Sequence, residues 1–351
     1  MKRGVWTGPW GVSKQPQRAR VRLQRAVIVN GKDIAKDIAK DIAAAAPAHG
    51  WTLGRGLRRG RIGSAPSAPH GVPMSPAAPD VTEPGPEPGP EPGSVPVPAA
   101  GGWLADLAGA WVFYSVLPLP RGLRPRFERI ARFAPWVGAV IGALEAGLWQ
   151  MLSPGGLLAQ VALVIAFDLW ISGGLHLDGA MDTADGLAAG PARCLEAMED
   201  SRVGASGVQA LALLLALRVG GLALLAVAAP WALVWAAVWG RLAPLLAMQH
   251  YPYLRQGAGT AGFHRRHWRG LPAELAPGLL VLALFTGLAF LVGGGAWCWL
   301  GWLGVVPLLL VPRRFGRRLG GHSGDSYGAC VEWTVSWSLV LMGLAVCALR
   351  A

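Results

Sequence analysis

Residues 173–187 read GGLHLDGAMDTADGL and follow directly on an apolar run, 154–172. A charged side chain set in hydrocarbon costs about 3 kcal/mol or more. A histidine and three aspartates at the end of such a run therefore need a positive partner, or the run has been misread. A helical reading settles the geometry. At about 100° per residue, Asp178, Asp182 and Asp185 (i, i+4, i+7) fall within a wedge of about 60°. Three carboxylates on one face repel one another unless a cation sits among them. Hard divalent cations take oxygen ligands, and Mg²⁺ commonly shares its shell with substrate phosphates. The stretch thus predicts a helix that begins where a membrane span ends and presents a Mg²⁺–phosphate site. A solvated helix start, with acids favoured by the helix dipole, would account for one aspartate. Three on one face, with His176 beside them, ask for more. His176 reads equally as a general base, a donor to phosphate or a buried interfacial histidine.

The rest of the chain supports a membrane setting. Of 351 residues, 53% are hydrophobic and only 15% charged, against about 25% charged in soluble domains. The net charge of +12 divides unevenly. Residues 1–100 hold 14 Lys+Arg and 7 acids; residues 101–351 hold 18 Arg, 13 acids and no lysine. The first hundred residues carry the repeat KDIAKDIAKDIA (Lys32–Ala43), GRGLRRGRIG and EPGPEPGPEPG. Little there can bury apolar surface, so a disordered, low-complexity extension is expected. A start of the working protein near Met74 is the simplest account of it. The four cysteines, Cys194, Cys298, Cys330 and Cys347, have no CxxC spacing and read as small packing residues.

From Gly101 onward the expectation is an all-α, polytopic membrane helix bundle over 101–351, with about seven transmembrane helices. The apolar runs are 133–152, 154–172, 205–228, 229–249, 273–292, 296–312 and 331–349, each about long enough to cross ~30 Å. A shorter run at 104–119 reads as a short or re-entrant segment. The turns SPGG, AAP and GGG carry no Lys or Arg. By contrast RGLRPRFERIAR holds five arginines, RQGAGTAGFHRRHWR four and RRFGRR four, and the loop 173–204 adds Arg193 and Arg202. If the chain alternates sides at each run, these four loops share one face, which the positive-inside rule makes cytoplasmic. That placement explains the basic pI better than nucleic-acid binding does.

Three further segments fall on the same expected face. MEDSRVGASG (Met198–Gly207) offers Asp200, Ser201 and Arg202 ahead of a helix rich in small residues. A guanidinium fork and nearby backbone N–H groups can hold phosphate there, or Arg202 simply snorkels beside a cap. HYPYLRQGAGTAGFHRRHW offers Tyr251, Tyr253, Arg255 and Phe263, suited to a phosphorylated ring system or to an interfacial aromatic belt. GGHSGDSYGACVEW (Gly320–Trp333) offers His322, Ser323, Asp325 and Glu332, either a capped turn or further ligands. Glu145 and Asp168 lie inside expected helices, where an acid is a functional candidate by default. Asp168 is expected to line a cavity beneath the site, and Glu145 to pair with an arginine or face a polar cavity.

These motifs, with FYSVLPLP, FAPWVGAVIGAL and GRLAPLLAMQHYPYLR, occur in the order found in cobalamin synthases, the adenosylcobinamide-GDP ribazoletransferase family. Over about 105–351 the chain resembles that family. The resemblance implies an integral enzyme of a prokaryotic plasma (inner) membrane, its site facing the cytoplasm. It would join adenosylcobinamide-GDP to α-ribazole, or to α-ribazole 5′-phosphate, releasing GMP in the last step of nucleotide-loop assembly. By matching position it implies Mg²⁺ on Asp178, Asp182, Asp185 and Asp325. Catalytic roles fall to His176, Asp182 and Arg202, and substrate contacts to Asp200, Ser201, Arg255 and Ser323. The partners implied are these small molecules and the lipid bilayer, with other pathway enzymes or a second copy as further candidates and no nucleic acid. The extension is foreign to the family core, and Ser323 stands where threonine is common. A CDP-alcohol phosphotransferase is a competing reading, disfavoured because DGAMDTADG lacks its arginine. An ion-coupled transporter using Asp168 and Glu145 would instead need related halves or broken helices at mid-membrane.

Overall fold

The computed structural model describes residues 102–255, 264–293 and 295–351, apart from the side chains at 296–297. The expected extension over 1–100, and Phe263, lie outside the described residues. The described chain forms α-helices α1 (Trp103–Tyr114), α2 (Ala134–Met151), α3 (Leu157–Ile171), α4 (Leu175–Ala189), α5 (Cys194–Glu199), α6 (Ala205–Leu225), α7 (Ala229–His250), α8 (Leu271–Gly293), α9 (Gly295–Trp302), α10 (Val305–Leu319) and α11 (Gly324–Arg350). The architecture is all-α, as expected.

The span count differs. Four stretches are long and apolar enough to cross a membrane by length and composition: Ala205–His250, Leu271–Gly293, Cys298–Leu319 and Gly324–Arg350. A fifth is reached if the bent pair α3–α4 counts as one. The expected count of about seven is not reached by length and composition, for particular reasons. α2 carries Glu145 and Gln150 within its 18 residues, which dilutes its hydropathy. α3 is only 15 residues long, about 22 Å as a helix. α6 and α7 count as one stretch, although Ala226 interrupts it with φ 47°. The run 296–312 is split around Leu303–Gly304 between α9 and α10. There the indole of Trp239 donates to the Gly301 carbonyl at 2.8 Å.

α7 is buried on nearly every side, as a helix at the centre of a bundle should be. It packs against α2, α8, α10 and α11. Trp235 and Trp239 stack along it and meet Phe285 of α8 and Trp302 of α9. Lipid tails are as apolar as leucine, so close packing at small residues drives such contacts. At Gly142 of α2 an added Cβ would stand 2.7 Å from the Val234 Cα, so that crossing depends on a hydrogen side chain. On α8, Leu280, Leu284, Leu288 and Leu291 form an exposed stripe (i, i+4, i+8, i+11) that suits lipid.

The stretch that opened the reading lies where the path breaks. Gly173 and Gly174 take φ 63° and 68°, a left-handed conformation that glycine adopts without steric cost. α3 and α4 consequently meet at 89°. The chain turns aside at the point where charge begins.

The arginine-rich loops are tied to one another across the sequence. Arg129 pairs with Glu274 at the start of α8 at 2.6 Å. Arg126 and Arg132 both grip the fully buried Asp106 of α1, at 2.6 and 2.8 Å. Leu254 N–H donates to the His322 carbonyl at 2.8 Å, and His322 N–H to the Pro252 carbonyl at 2.9 Å. With the Arg265 guanidinium donating to the Tyr251 carbonyl at 2.5 Å, these contacts gather the segments around 126–132, 251–255, 264–274 and 320–323 at one end of the bundle.

Candidate active site

α4 is helical over the expected residues, so Asp178, Asp182 and Asp185 do share a face. Asp178 is exposed, and Asp182 and Asp185 are half-buried. α4 is held against α11 by two glycines. A Cβ on Gly179 would stand 2.6 Å from the Asp325 carbonyl oxygen, and one on Gly328 would stand 2.9 Å from the His176 carbonyl oxygen. This reciprocal contact brings Asp325, in the first turn of α11, beside the aspartate helix.

Asp185 has a defined partner that sequence reading missed. Its two carboxylate oxygens accept from Gly204 N–H and Gly207 N–H, each at 2.8 Å. Those groups belong to the start of α6, where backbone donors lack intrahelical partners and the dipole favours an anion. Gly207 is needed for the approach, because a Cβ there would meet the carboxylate at 2.5 Å. A carboxylate 19 and 22 residues before two ordinary-looking glycines gave no sequence signal beyond its helix register.

Asp200, Ser201 and Arg202 form the exposed turn between α5 and α6. Arg202 is 87% exposed at its side chain, and it pairs with Asp200 through Nη2 at 2.6 Å and through Nε at 3.0 and 3.1 Å. These hydrogen bonds, with one from the Arg202 backbone N–H, hold the Asp200 carboxyl down at about 2. The Arg202 fork expected to meet phosphate thus rests on its own neighbour.

Arg255 is a bridge. Its Nη2 lies 2.9 Å from Asp325 and its Nη1 3.7 Å from Glu199 of α5, a residue the sequence had not singled out. The paired backbones at 252–254 and 322 set it there. Ser323 is buried, and its hydroxyl caps α11 by accepting from Ser326 N–H at 3.2 Å while the Ser326 hydroxyl accepts from Ser323 N–H at 2.8 Å. This reciprocal box leaves Ser323 Oγ 3.5 Å from Asp325 Oδ2. His322 is fully buried, and its Nε2 faces the Pro312 carbonyl at 3.1 Å. A carbonyl only accepts, so Nε2 carries the proton and Nδ1 takes the Ser326 hydroxyl at 2.9 Å. Burial pushes this ring down to about 4. His176 is 5% exposed and stacks on Tyr114 of α1, 5.9 Å between centroids. Of its three sequence readings, that placement matches the buried interfacial histidine.

Glu332 does not join this group. It lies within the bundle, 2.7 Å from Arg218 Nη2. Asp168 also pairs with Arg218 and lines a cavity with Glu145, as its position in the sequence led us to expect.

Among the described residues, no three His, Cys, Asp or Glu side chains converge into a closed metal cage. The donors near the α4–α11 crossing are carboxylate oxygens, the chemistry that hard cations select. Mg²⁺ usually takes one or two protein carboxylates and fills its shell with waters and substrate phosphates. An open acidic face fits that habit, and a closed cage is not required.

No solved structure matches the chain. The chain is 52% identical over 257 residues to the adenosylcobinamide-GDP ribazoletransferase of Prochlorococcus marinus (strain MIT 9313), covering 69% of this chain and 96% of that protein. It is 42% identical over 241 residues to the enzyme of the same name from Thermosynechococcus vestitus, covering 66% and 93%. A Synechocystis sp. protein of that name is 39% identical over 254 residues, covering 70% and 96%. The family model described as cobalamin-5-phosphate synthase matches residues 106–343, from the buried Asp106 almost to the end of α11, and the chain belongs to that family.

Proposed function

We propose that the protein is a membrane-embedded adenosylcobinamide-GDP ribazoletransferase. It joins adenosylcobinamide-GDP with α-ribazole, or α-ribazole 5′-phosphate, and releases adenosylcobalamin, or its 5′-phosphate, with GMP. Family membership carries this reading, and the acidic face of α4 set against Asp325 supports it. A ribose hydroxyl attacks the phosphorus that carries cobinamide, and the bond from that phosphorus to the GMP oxygen breaks. Asp178 and Asp182 of α4, with Asp325 of α11, are the residues that would hold Mg²⁺. When bound there, the ion neutralises charge developing on the leaving phosphate. Arg202 and Arg255 exchange their carboxylate partners, Asp200 and Asp325, for diphosphate oxygens; both guanidinium forks suit that geometry. Ser201, exposed on the same turn, donates its hydroxyl to the phosphate. Asp185 keeps this turn in place through the start of α6, and His176 orients α4 through Tyr114.

The arginine bias of the clustered loops supports a prokaryotic inner membrane with this end in the cytoplasm. Family membership displaces the CDP-alcohol phosphotransferase and transporter readings. The test is to incubate membranes containing the protein with adenosylcobinamide-GDP, α-ribazole and Mg²⁺ and to assay cobalamin and GMP. Folded protein that forms neither product overturns the assignment. Chelation of divalent cations should stop turnover and Mg²⁺ restore it. Asp182→Asn should lower turnover by about 10²-fold or more with membrane insertion unchanged, and ordinary turnover in that variant removes Asp182 from the metal site.

A further inference from the structure

Five charged side chains meet inside the bundle, apart from the α4–α11 crossing. They are Glu145 on α2, Asp168 on α3, Arg218 on α6, Arg241 on α7 and Glu332 on α11. Glu145, Arg218, Arg241 and Glu332 are 5%, 4%, 3% and 4% exposed. Glu145, Asp168, Arg218 and Arg241 line a cavity of about 20 Å³, whose other walls include Val164, Ile165 and Leu222.

Their pairing is uneven. Arg218 binds Asp168 through Nη1, Glu332 through Nη2 at 2.7 Å and Ser336 through Nε at 3.4 Å. Arg241 donates from Nη1 to the Ala237 carbonyl at 3.2 Å, and its Nε has no hydrogen-bond partner. The Glu145 carboxyl is in hydrogen-bonding contact with that of Asp168, while its own Oε1 has no partner. The next titratable groups, His176 and Tyr114, neighbour Arg241. Three carboxyls therefore face two guanidiniums, a deficit of one positive charge. Two carboxylates in contact cannot both stay ionised in an apolar interior.

We infer that this centre is a proton-binding site, with one proton held on Glu145 and donated to Asp168. Glu145 is the seat because Asp168 already has the Arg218 guanidinium. A metal cation fits poorly in the same place. It would need about six oxygen ligands, whereas the lining offers two carboxyls, two guanidiniums and aliphatic carbon. A proton needs no coordination shell. The uptake balances simply: one carboxylate and one proton from water give one carboxylic acid, and the five-group cluster becomes neutral. Its place in the fold gives the proton a positioning role. α3 leads through the Gly173–Gly174 bend into the aspartate helix, and α11 is capped by Ser323 and carries Asp325 in its first turn. A neutral knot between α3 and α11 thus underlies both walls of the site.

Infrared spectroscopy of the full chain in lipid nanodiscs tests this directly. At about pH 7.5 an exposed glutamate, with its ordinary value of about 4.3, is ionised. The wild-type protein should nevertheless show the C=O stretch of a buried carboxylic acid. Glu145→Gln should remove that band. Asp168→Asn should remove it as well, since two carboxylates then balance two guanidiniums without a proton. If Glu145→Gln does not fold, Asp168→Asn decides alone. A wild-type spectrum without the band, or a band that persists in the folded variants, overturns the proposal. So does a sodium-dependent rise in thermal stability that Glu145→Gln abolishes in a protein lacking the band, which would assign the site to a metal cation.

Discussion

At the scale of the residue, the aspartates of α4 share a register and differ in work. Asp185 closes the start of α6 with both oxygens, and an asparagine can accept with only one. Asp185→Asn should cost about 1.5–3 kcal/mol, the range for hydrogen bonds to charged groups, and should raise KM for the diphosphate substrate as the Asp200–Arg202 turn loosens. Thermal unfolding in detergent, read beside KM, checks this; an unchanged midpoint would remove the clamp. His322 makes a second prediction. Burial lowers its folded value to about 4, against about 6.5 in an unfolded chain. Its neutral ring thus contributes fully above about pH 6.5, and that contribution is lost as pH falls through 6.5 towards 4, up to about 3 kcal/mol. The unfolding midpoint should drop between about pH 7 and about pH 4.5. His322→Gln should flatten part of that drop, the rest reflecting His264, which burial also holds at about 4.

At the scale of the element, the close crossing of α4 and α11 at Gly179 and Gly328 is the contact on which the site depends. Gly179→Val would force a branched side chain into the Asp325 backbone. Overpacking of this kind costs about 1–3 kcal/mol, and here it would also move Asp325 away from the aspartate face. Turnover should fall more steeply than thermal stability, and a variant with full activity would show that the crossing tolerates separation. The helix itself was legible in the sequence, because i, i+4, i+7 aspartates after an apolar run specify both its start and its face. The partners were not. Asp185 meets glycines whose role is to lack a side chain, and the sequence did not single out Ser326, the partner with which Ser323 caps α11. Glu332 stands seven residues after Asp325, yet it faces Arg218, more than 100 residues earlier. Contacts of that range leave no periodic trace in one chain.

At the scale of the whole molecule, clustering of the arginine loops at one end makes topology testable. Ser201 is exposed among those loops, and Ser153 is exposed in the turn between α2 and α3. With the exposed Cys347 replaced by alanine, the other cysteines are buried or partly buried. A cysteine at Ser201 should then react with an impermeant maleimide only in inverted vesicles, and one at Ser153 only in intact spheroplasts. Labelling of both from one side would undo the proposed orientation. The all-helical class followed from composition alone, whereas the number of spans did not. A run of apolar residues records length without recording a bend such as Gly173–Gly174 or a buried acid such as Glu145.

The contact between Gly179 and Asp325 also has a meaning in time. α4 leaves the ribosome well before α11, the helix that completes its surroundings. Until α11 inserts, α4 lacks the surface that holds it at Gly179, so a chain broken off before residue 324 cannot assemble a working site. Competence for chemistry thus arises only once α11 has followed α4 into place.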